Sequence, residues 1–247
     1  MTAPTDSPRH GIILPACNEE ACIAAVLAEL RQVLEPDRFD IAVGVNGSDD
    51  RTAELAREMG AVVAETPRRG YGYGCQVAIE ALAAQRAAVR SFVFFAADGA
   101  NDPRDIASLI AAHEEGAQMV IGGRTRNSAN WSAMDAHYVL ANRGFGFLCG
   151  CLTGRFFSDL GPLRLIEREL FHALDLREWT YGWTIEAQIR AAMLGAHIAE
   201  VPVRERGRIA GQQKVSRVSW QRTLSVGLQI TAAAFRTRFA GRAAGRR

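Results

Sequence analysis

The stretch Ser91-Phe92-Val93-Phe94-Phe95-Ala96-Ala97-Asp98-Gly99-Ala100-Asn101-Asp102-Pro103 decides the fold. A continuous apolar run that stops at Asp98-Gly99 and passes into Asn101-Asp102-Pro103 reads as a buried strand whose carboxyl end delivers a carboxylate into a crevice. In an open α/β sheet, ligands bind at such strand ends. The same residues also fit a plain turn before a helix start at Asp102-Pro103, so the surrounding chain has to choose between a site and a turn.

Toward the N-terminus, Gly11-Ile12-Ile13-Leu14-Pro15 is a short apolar run followed by Ala16-Cys17-Asn18-Glu19-Glu20. Asn18 is placed to cap a helix, and the two acids suit its positive end. Ile23, Val26, Leu27, Leu30 and Leu34 then recur at helical spacing as far as Pro36. Phe39 to Val45 reads as a second strand that breaks at Asn46-Gly47-Ser48-Asp49-Asp50, and Ala61 to Ala64 as a third, with a helix around Leu55, Ala56 and Met59 between them. Strand and helix alternating through short connections imply a mostly parallel sheet with helices on both faces. Arg68-Arg69-Gly70-Tyr71-Gly72-Tyr73-Gly74 opens the next helix. Its glycines and arginines suit either a phosphate at a helix N-terminus or a flexible loop, and the spacing is neither a P-loop nor a dinucleotide fingerprint.

Beyond the central strand, the pattern gives a helix over 106–112 and a strand over 118–121 ending in Gly122-Gly123-Arg124. A polar acceptor-side loop over 125–136 follows, then an apolar helix over 138–157 that carries Arg143. Residues 158–164 read as a loop or strand, Tyr181 to Glu186 lead into a helix with Ile189 and Met193, and His197 to Val203 form a late strand. The expected organisation is a flexible N-terminus over 1–10, one α/β domain over 11–216, and an amphipathic helix with a basic tail over 217–247.

With 247 residues, 48% of them apolar, the chain can bury one sizeable core. Five cysteines are an odd number without CxxC spacing, which argues against a disulfide framework or a zinc site and leaves Cys149-Gly150-Cys151 as packing. Residues 1–10 hold no signal-peptide core and no run approaches the roughly 18 apolar residues of a membrane span, so the expected location is cytoplasmic. The net charge of +2 hides an asymmetry. From Arg204 to Arg247 there are ten Arg and one Lys against Glu205 alone, a balance of +10 that leaves −8 on the rest. Such a tail attracts an anionic partner: a diphosphate, an anionic lipid surface or nucleic acid. No helix-turn-helix, zinc or RNP-like pattern supports nucleic acid, which ranks last. Trp220, Leu224, Leu228 and Phe235 fall near one helical face, which fits either a peripheral membrane contact or packing on the domain.

Several stretches together resemble family 2 glycosyltransferases of the GT-A fold, particularly the bacterial relatives of dolichyl- and polyprenyl-phosphate sugar synthases. They are Pro15-Ala16-Cys17-Asn18-Glu19-Glu20, Val45-Asn46-Gly47-Ser48-Asp49-Asp50-Arg51-Thr52, Gly70-Tyr71-Gly72, Gly123-Arg124, Asp159-Leu160-Gly161-Pro162-Leu163-Arg164, Tyr181-Gly182-Trp183-Thr184-Ile185-Glu186 and the run from Val201 to Ser216. The resemblance implies inverting transfer of a sugar from a nucleotide-diphosphate donor to a membrane-associated acceptor such as a polyprenyl phosphate. It implies a donor site at Pro15, Asn18, Glu19, Asn46, Ser48, Gly70 and Asp98, closed by Arg206, Arg208 and Lys214, the only lysine in the chain. Arg124 and Arg143 fall where relatives hold an acceptor phosphate, while Asp159 and Glu186 are the candidate bases for an acceptor hydroxyl.

The resemblance also implies Mg²⁺ or Mn²⁺ on the diphosphate, held by an Asp-x-Asp-x-Gln/Ser cup. Here the matching positions are Ala96, Asp98 and Ala100, and Val45 replaces the aspartate that faces the base in relatives. Asp98 is the one remaining metal ligand, with Asp102 and the diphosphate as the groups left to complete a site. Three readings follow: a transferase that neutralises its leaving group mainly with Arg206, Arg208 and Lys214, a non-catalytic homologue acting as a binding partner, or a nucleotidyltransferase. The last needs a phosphate loop where Pro15 to Glu20 is acidic.

Overall fold

Strands β1 (Arg9–Ala16) and β4 (Val89–Phe94) lie side by side and parallel near the middle of a seven-stranded sheet. The computed structural model describes residues 9–85, 89–132, 134, 136–210 and 220–244. The other strands are β2 (Phe39–Asn46), β3 (Val62–Thr66), β5 (Met119–Gly123), β6 (Arg164–Glu167) and β7 (Ile198–Pro202), and the spatial order is β3-β2-β1-β4-β6-β5-β7. All pairings are parallel except those of β6, which runs antiparallel to both β4 and β5.

The helices are α1 (Ile23–Val33), α2 (Thr52–Glu58), α3 (Tyr71–Gln85), α4 (Ile106–Glu114), α5 (Ala136–Thr153), α6 (Arg168–Ala173), α7 (Trp183–Met193) and α8 (Trp220–Ala244). Strand side chains alternate between two layers, as a period of two requires. Ile12, Leu14, Val93 and Phe95 pack with Ile23, Val26, Leu27 and Leu30 of α1 and with Ile106 and Leu109 of α4. Ile13, Phe92 and Phe94 face the other way, onto Ile79 and Leu82 of α3, Trp183 and Ile189 of α7, and Ala233 and Ala234 of α8. Because both faces are covered, the central strands read as unbroken apolar runs.

The sheet order places a topological switch between β1 and β4. From β1 the chain winds outward through β2 to β3, then returns to the far side of β1 as β4. The loops after β1, β2 and β4 therefore open together at one end of the sheet, the end at which open α/β sheets bind ligands.

Three local readings change. The 158–164 region enters the sheet only as the short antiparallel β6, and α6, too short to announce itself by periodicity, follows directly. The apolar helix stops at Thr153, and the chain turns at Gly154 (φ +81°) to bring Phe157 back against Gly146. The glycines of 70–74 lie in closely packed chain rather than in a flexible loop. A Cβ at Gly74 would lie 2.8 Å from the Pro15 Cβ, and one at Gly44 would lie 1.8 Å from the Gly74 carbonyl oxygen. A Cβ at Gly72 would lie 2.7 Å from the Trp183 ring. Helix α3 presses directly on β1, β2 and α7, and only glycine admits that approach. Among the described residues no helix is long and apolar enough to cross a membrane.

Candidate active site

The first wall of the crevice is a clasp between the loops after β1 and β2. Asn18 adopts φ +53°, a left-handed conformation that asparagine tolerates better than most residues. Its N–H donates to Ser48 Oγ (2.9 Å), its Nδ2 to Asp49 Oδ1 (2.6 Å), and its Oδ1 accepts the Asp49 N–H (3.0 Å). The Glu19 N–H donates to Thr52 Oγ1 (2.8 Å). Asn18 is thus not the cap of α1, which begins at Ile23 without a side-chain cap bond. Asn46 is buried at the end of β2, and Pro15 lies on β1 against α3.

The loop after β4 is shaped by its own polar side chains. Asn101 is fully buried and its Oδ1 accepts the Ala96 N–H (3.0 Å), while Asp98 Oδ1 accepts the Ala100 N–H (3.0 Å). Gly99 sits at φ +81°, and a Cβ there would come 2.5 Å from Ile209 Cγ1. That contact belongs to a segment, 204–209, that runs along the loop. Glu205 forms an antiparallel bridge with Asn101, the Arg206 N–H donates to Ala100 O (2.9 Å), and the Ile209 N–H donates to Asp98 O (3.1 Å).

The basic residues of this segment find their counter-ions within the chain. Arg204 binds Asp105 through its backbone N–H and both Nε and Nη2, and lies 3.4 Å from Asp102. Arg206 Nη2 donates to Glu29 (2.7 Å) and to Asn101 O (2.6 Å). Arg208 Nη1 donates to Asp98 Oδ2 (3.0 Å), and its Nη2 donates to Glu19 Oε2. Part of the charge asymmetry is therefore neutralised inside the molecule. Lys214 lies outside the described residues.

These residues do not fit a protein-held divalent cation. Ala96 and Ala100 present methyl groups, and Asp98 already accepts from Ala100 and Arg208. Asp102, the other carboxylate expected to help, caps the 3₁₀ turn Pro103–Asp105 and is held by Arg104, whose hydrogen bonds bring it down to about 2. Among the described residues no cluster of three or more His, Cys, Asp or Glu is arranged to hold a metal ion.

A second polar cluster lies at the end of β5. Arg124 and Asp159 are essentially inaccessible, and Asp159 accepts three hydrogen bonds from Arg124: from N and Nε at 2.9 Å and from Nη2 at 2.8 Å. Arg124 Nη1 also donates to the Tyr138 hydroxyl (3.0 Å). Arg124 is thus paired with Asp159, and Arg143 lies exposed on α5. Glu186 is also buried. It accepts the Arg177 and Glu178 N–H groups (2.9 and 2.7 Å) and pairs with Arg190 (2.8 Å). Asp159 and Glu186 are both held in buried ion pairs.

A profile of Glycosyl transferase family 2 matches residues 11–174. The chain belongs to that family. It is 34% identical over 205 residues to a dolichyl-phosphate hexose transferase of Haloferax volcanii, covering 83% of this chain and 85% of that one. It is 32% identical over 212 residues to an uncharacterised glycosyltransferase of Mycobacterium tuberculosis, covering 83% and 88%. Its fold also matches glucosyl-3-phosphoglycerate synthase of M. tuberculosis, solved with Mn²⁺, UDP and phosphoglyceric acid. There the TM-score is 0.69 at 21% identity, over 95% of this chain and 80% of that one. The architecture is GT-A, as the sequence motifs imply.

In this family 2 glycosyltransferase, Pro15, Asn18, Glu19, Asn46, Ser48, Asp98, Arg206 and Arg208, the residues expected at the donor, lie on the loops and strand ends at one end of the sheet, whereas Gly70 packs against Trp179 and Thr180. Sequence reading missed Glu205 as more than a charge. Its side chain sits between the two clusters, 3.5 Å from Arg124 Nη1, and its Oε2 has no hydrogen-bond partner. Burial pushes its carboxyl up to about 7 against the opposing pull of Arg124. The available signal was its being the one acid in a basic tail. Arg164 was read as a motif residue. It is buried within the core, donating to the Gly161 and Thr184 carbonyls beside the Trp183 ring.

Proposed function

We propose that the protein transfers a sugar from a nucleotide-diphosphate donor to a membrane-associated acceptor such as a polyprenyl phosphate, with inversion at the anomeric carbon. The observation that carries this reading is the convergence of Glu19, Asp98 and the 204–209 segment at the switch-point crevice, where a GT-A protein offers room for a nucleotide. UDP in the related synthase structure supports a nucleotide donor, and the dolichyl-phosphate hexose transferase supports a lipid-phosphate acceptor.

The chemistry follows from the charges. An acceptor phosphate oxygen attacks the anomeric carbon opposite the diphosphate; the new C–O bond forms as the old one breaks, and the electron pair leaves on the nucleoside diphosphate. An acceptor that is already anionic gives up no proton, so the step needs no base. That agrees with Asp159 and Glu186 both being engaged in buried pairs. The basic segment and Lys214 meet the charge that builds on the leaving group. Mn²⁺ accompanies UDP in the related structure. In this chain Asp98 is the cup carboxylate left to meet such an ion, and the fit described above is poor.

The acceptor reading places the protein on a membrane, at the cytoplasmic face. Leu224, Leu228, Phe235 and Phe239 of α8 are exposed, while Ala233 and Ala234 are buried against the domain. A helix docked through small residues leaves its large apolar ones available to an anionic lipid surface.

A second reading, a non-catalytic homologue that binds a nucleotide, a lipid phosphate or an active relative, is favoured by Val45, Ala96 and Ala100. Incubation with UDP- and GDP-hexoses and a short polyprenyl phosphate in anionic vesicles separates the two. A lipid-linked sugar detected by mass spectrometry, with inverted configuration by NMR, is the expected product. Nucleotide binding without transfer to any lipid phosphate would move the assignment to the second reading.

A further inference from the structure

The cup after β4 poses an electrostatic question that the donor-site reading leaves open. A leaving diphosphate needs compact positive charge at this strand end, yet two of the three expected metal-ligand positions carry methyl groups. Positive charge is nevertheless present. The Arg208 guanidinium, 11% exposed, lies between the carboxylates of Glu19 and Asp98, which arrive from the ends of β1 and β4. Its Nε faces the Ala210 carbonyl (3.4 Å), so all three nitrogens of the fork are engaged by groups of the crevice. The backbone holds it there: Ile209 is hydrogen-bonded to Asp98 O and packed on Gly99.

We propose that Arg208 is a built-in cation that takes the divalent ion's place in this chain, so that nucleoside diphosphate binds here without a metal. The inference rests on the donor-site reading and specifies its counter-charge. Guanidinium suits the role because it is always charged and presents parallel N–H donors that match phosphate oxygens as well as carboxylates.

Glu19, Asp98 and Arg208 together carry one net negative charge, which opposes an incoming diphosphate. Binding therefore requires Arg208 to exchange a carboxylate for phosphate oxygens. Asp98, fixed by the Ala100 N–H, keeps the fork oriented, and Glu19 is the partner given up although it is the less exposed of the two, 9% against 25%. Glu19 then competes with the ligand, whereas at a metal-held site that competition is absent. The two arrangements predict different outcomes for one isosteric substitution.

The experiment is calorimetric titration of UDP and of GDP into the full chain, in EDTA and in Mn²⁺. The expected result is binding of one nucleotide with the same affinity in both conditions. Arg208→Ala weakens it about tenfold or more, the loss expected of a charge-assisted hydrogen bond. Arg208→Lys, a point charge without the fork, recovers part of it, and Glu19→Gln binds more tightly than the unaltered protein. Thermal melts of each variant establish that it is folded, and Glu19→Gln keeps the test decisive should Arg208→Ala not fold. Affinity that requires Mn²⁺ and does not rise in Glu19→Gln would overturn the inference while leaving the donor site standing. Binding of neither nucleotide under either condition would overturn the donor-site reading and the inference with it.

Discussion

Two arginine–carboxylate clusters stand at neighbouring strand ends, and they are built to opposite specifications. At the end of β5, Arg124 and Asp159 are sealed from solvent and joined by three hydrogen bonds, with Tyr138 on the remaining face. At the crevice mouth, Arg206 and Arg208 reach their carboxylates from a segment after the last strand; Asp98 and Glu29 stay partly exposed, while Arg208 and Glu19 are 11% and 9% exposed. A buried pair whose groups are fully matched is strongly destabilised by loss of either partner, because the survivor is left charged in a medium that cannot solvate it. An exposed pair exchanges partners with water or a ligand at little cost. The first cluster is an anchor; the second is suited to a ligand.

The largest expected effect breaks the anchor. Asp159→Ala leaves the Arg124 guanidinium buried beside Tyr138, Glu205 and Asn142, and should cost about 3–5 kcal/mol of stability. Urea unfolding checks this. A loss below about 1 kcal/mol, the range of an exposed pair, would show that the site opens to water and that Arg124 is available to an acceptor after all.

How far sequence could see follows the same division. The two central strands and their crevice were legible because an apolar run ending in Asp-Gly has few other uses in an α/β chain. The residues of the mouth were legible one by one through their motifs. Their meeting was not, since Arg208 lies 110 residues from Asp98 and 189 from Glu19, and no periodicity carries pairing over such distances. Arg124 could not be sorted in advance: an arginine after Gly122-Gly123 at a strand end looks the same whether its carboxylate or phosphate partner is protein or ligand. The 70–74 glycines are ambiguous for a related reason, because close approach to a phosphate and close approach to a strand make the same demand.

A third kind of buried polar group sharpens the comparison by lacking a full set of partners. At the opposite end of β1, His10 is inaccessible; its Nδ1 meets Ser91 Oγ (2.8 Å) and its Nε2 has no partner. Burial pushes it down to about 4, with further lowering from His113, Arg38 and Arg90 and a small opposing effect of Glu114. A depressed histidine is neutral in the fold, so as pH falls through about 6.5 the unfolded chain takes up a proton that the folded one refuses until about 4. Stability should fall by on the order of 3 kcal/mol across that window. Glu205, raised to about 7, tilts the curve the other way, because its ionisation with rising pH burdens the fold. The effect of His10 is therefore read as the difference between the protein and His10→Gln in urea midpoints from pH 7 to 4. Parallel curves would mean that water reaches His10.

The smallest expected effect tests the mouth itself. Arg206 and Glu29 are about one-third exposed, and their 2.7 Å contact joins α1 to the basic segment. A double-mutant cycle with Arg206→Ala and Glu29→Ala should give a coupling energy below about 1 kcal/mol, shrinking further in high salt. A small coupling is what a segment that must rearrange around a nucleotide requires, since each ion pair broken on entry is subtracted from the affinity of the ligand. A coupling of several kcal/mol, insensitive to salt, would make the mouth as rigid as the Arg124–Asp159 anchor. The crevice would then be shut by its own arginines, against the donor-site reading.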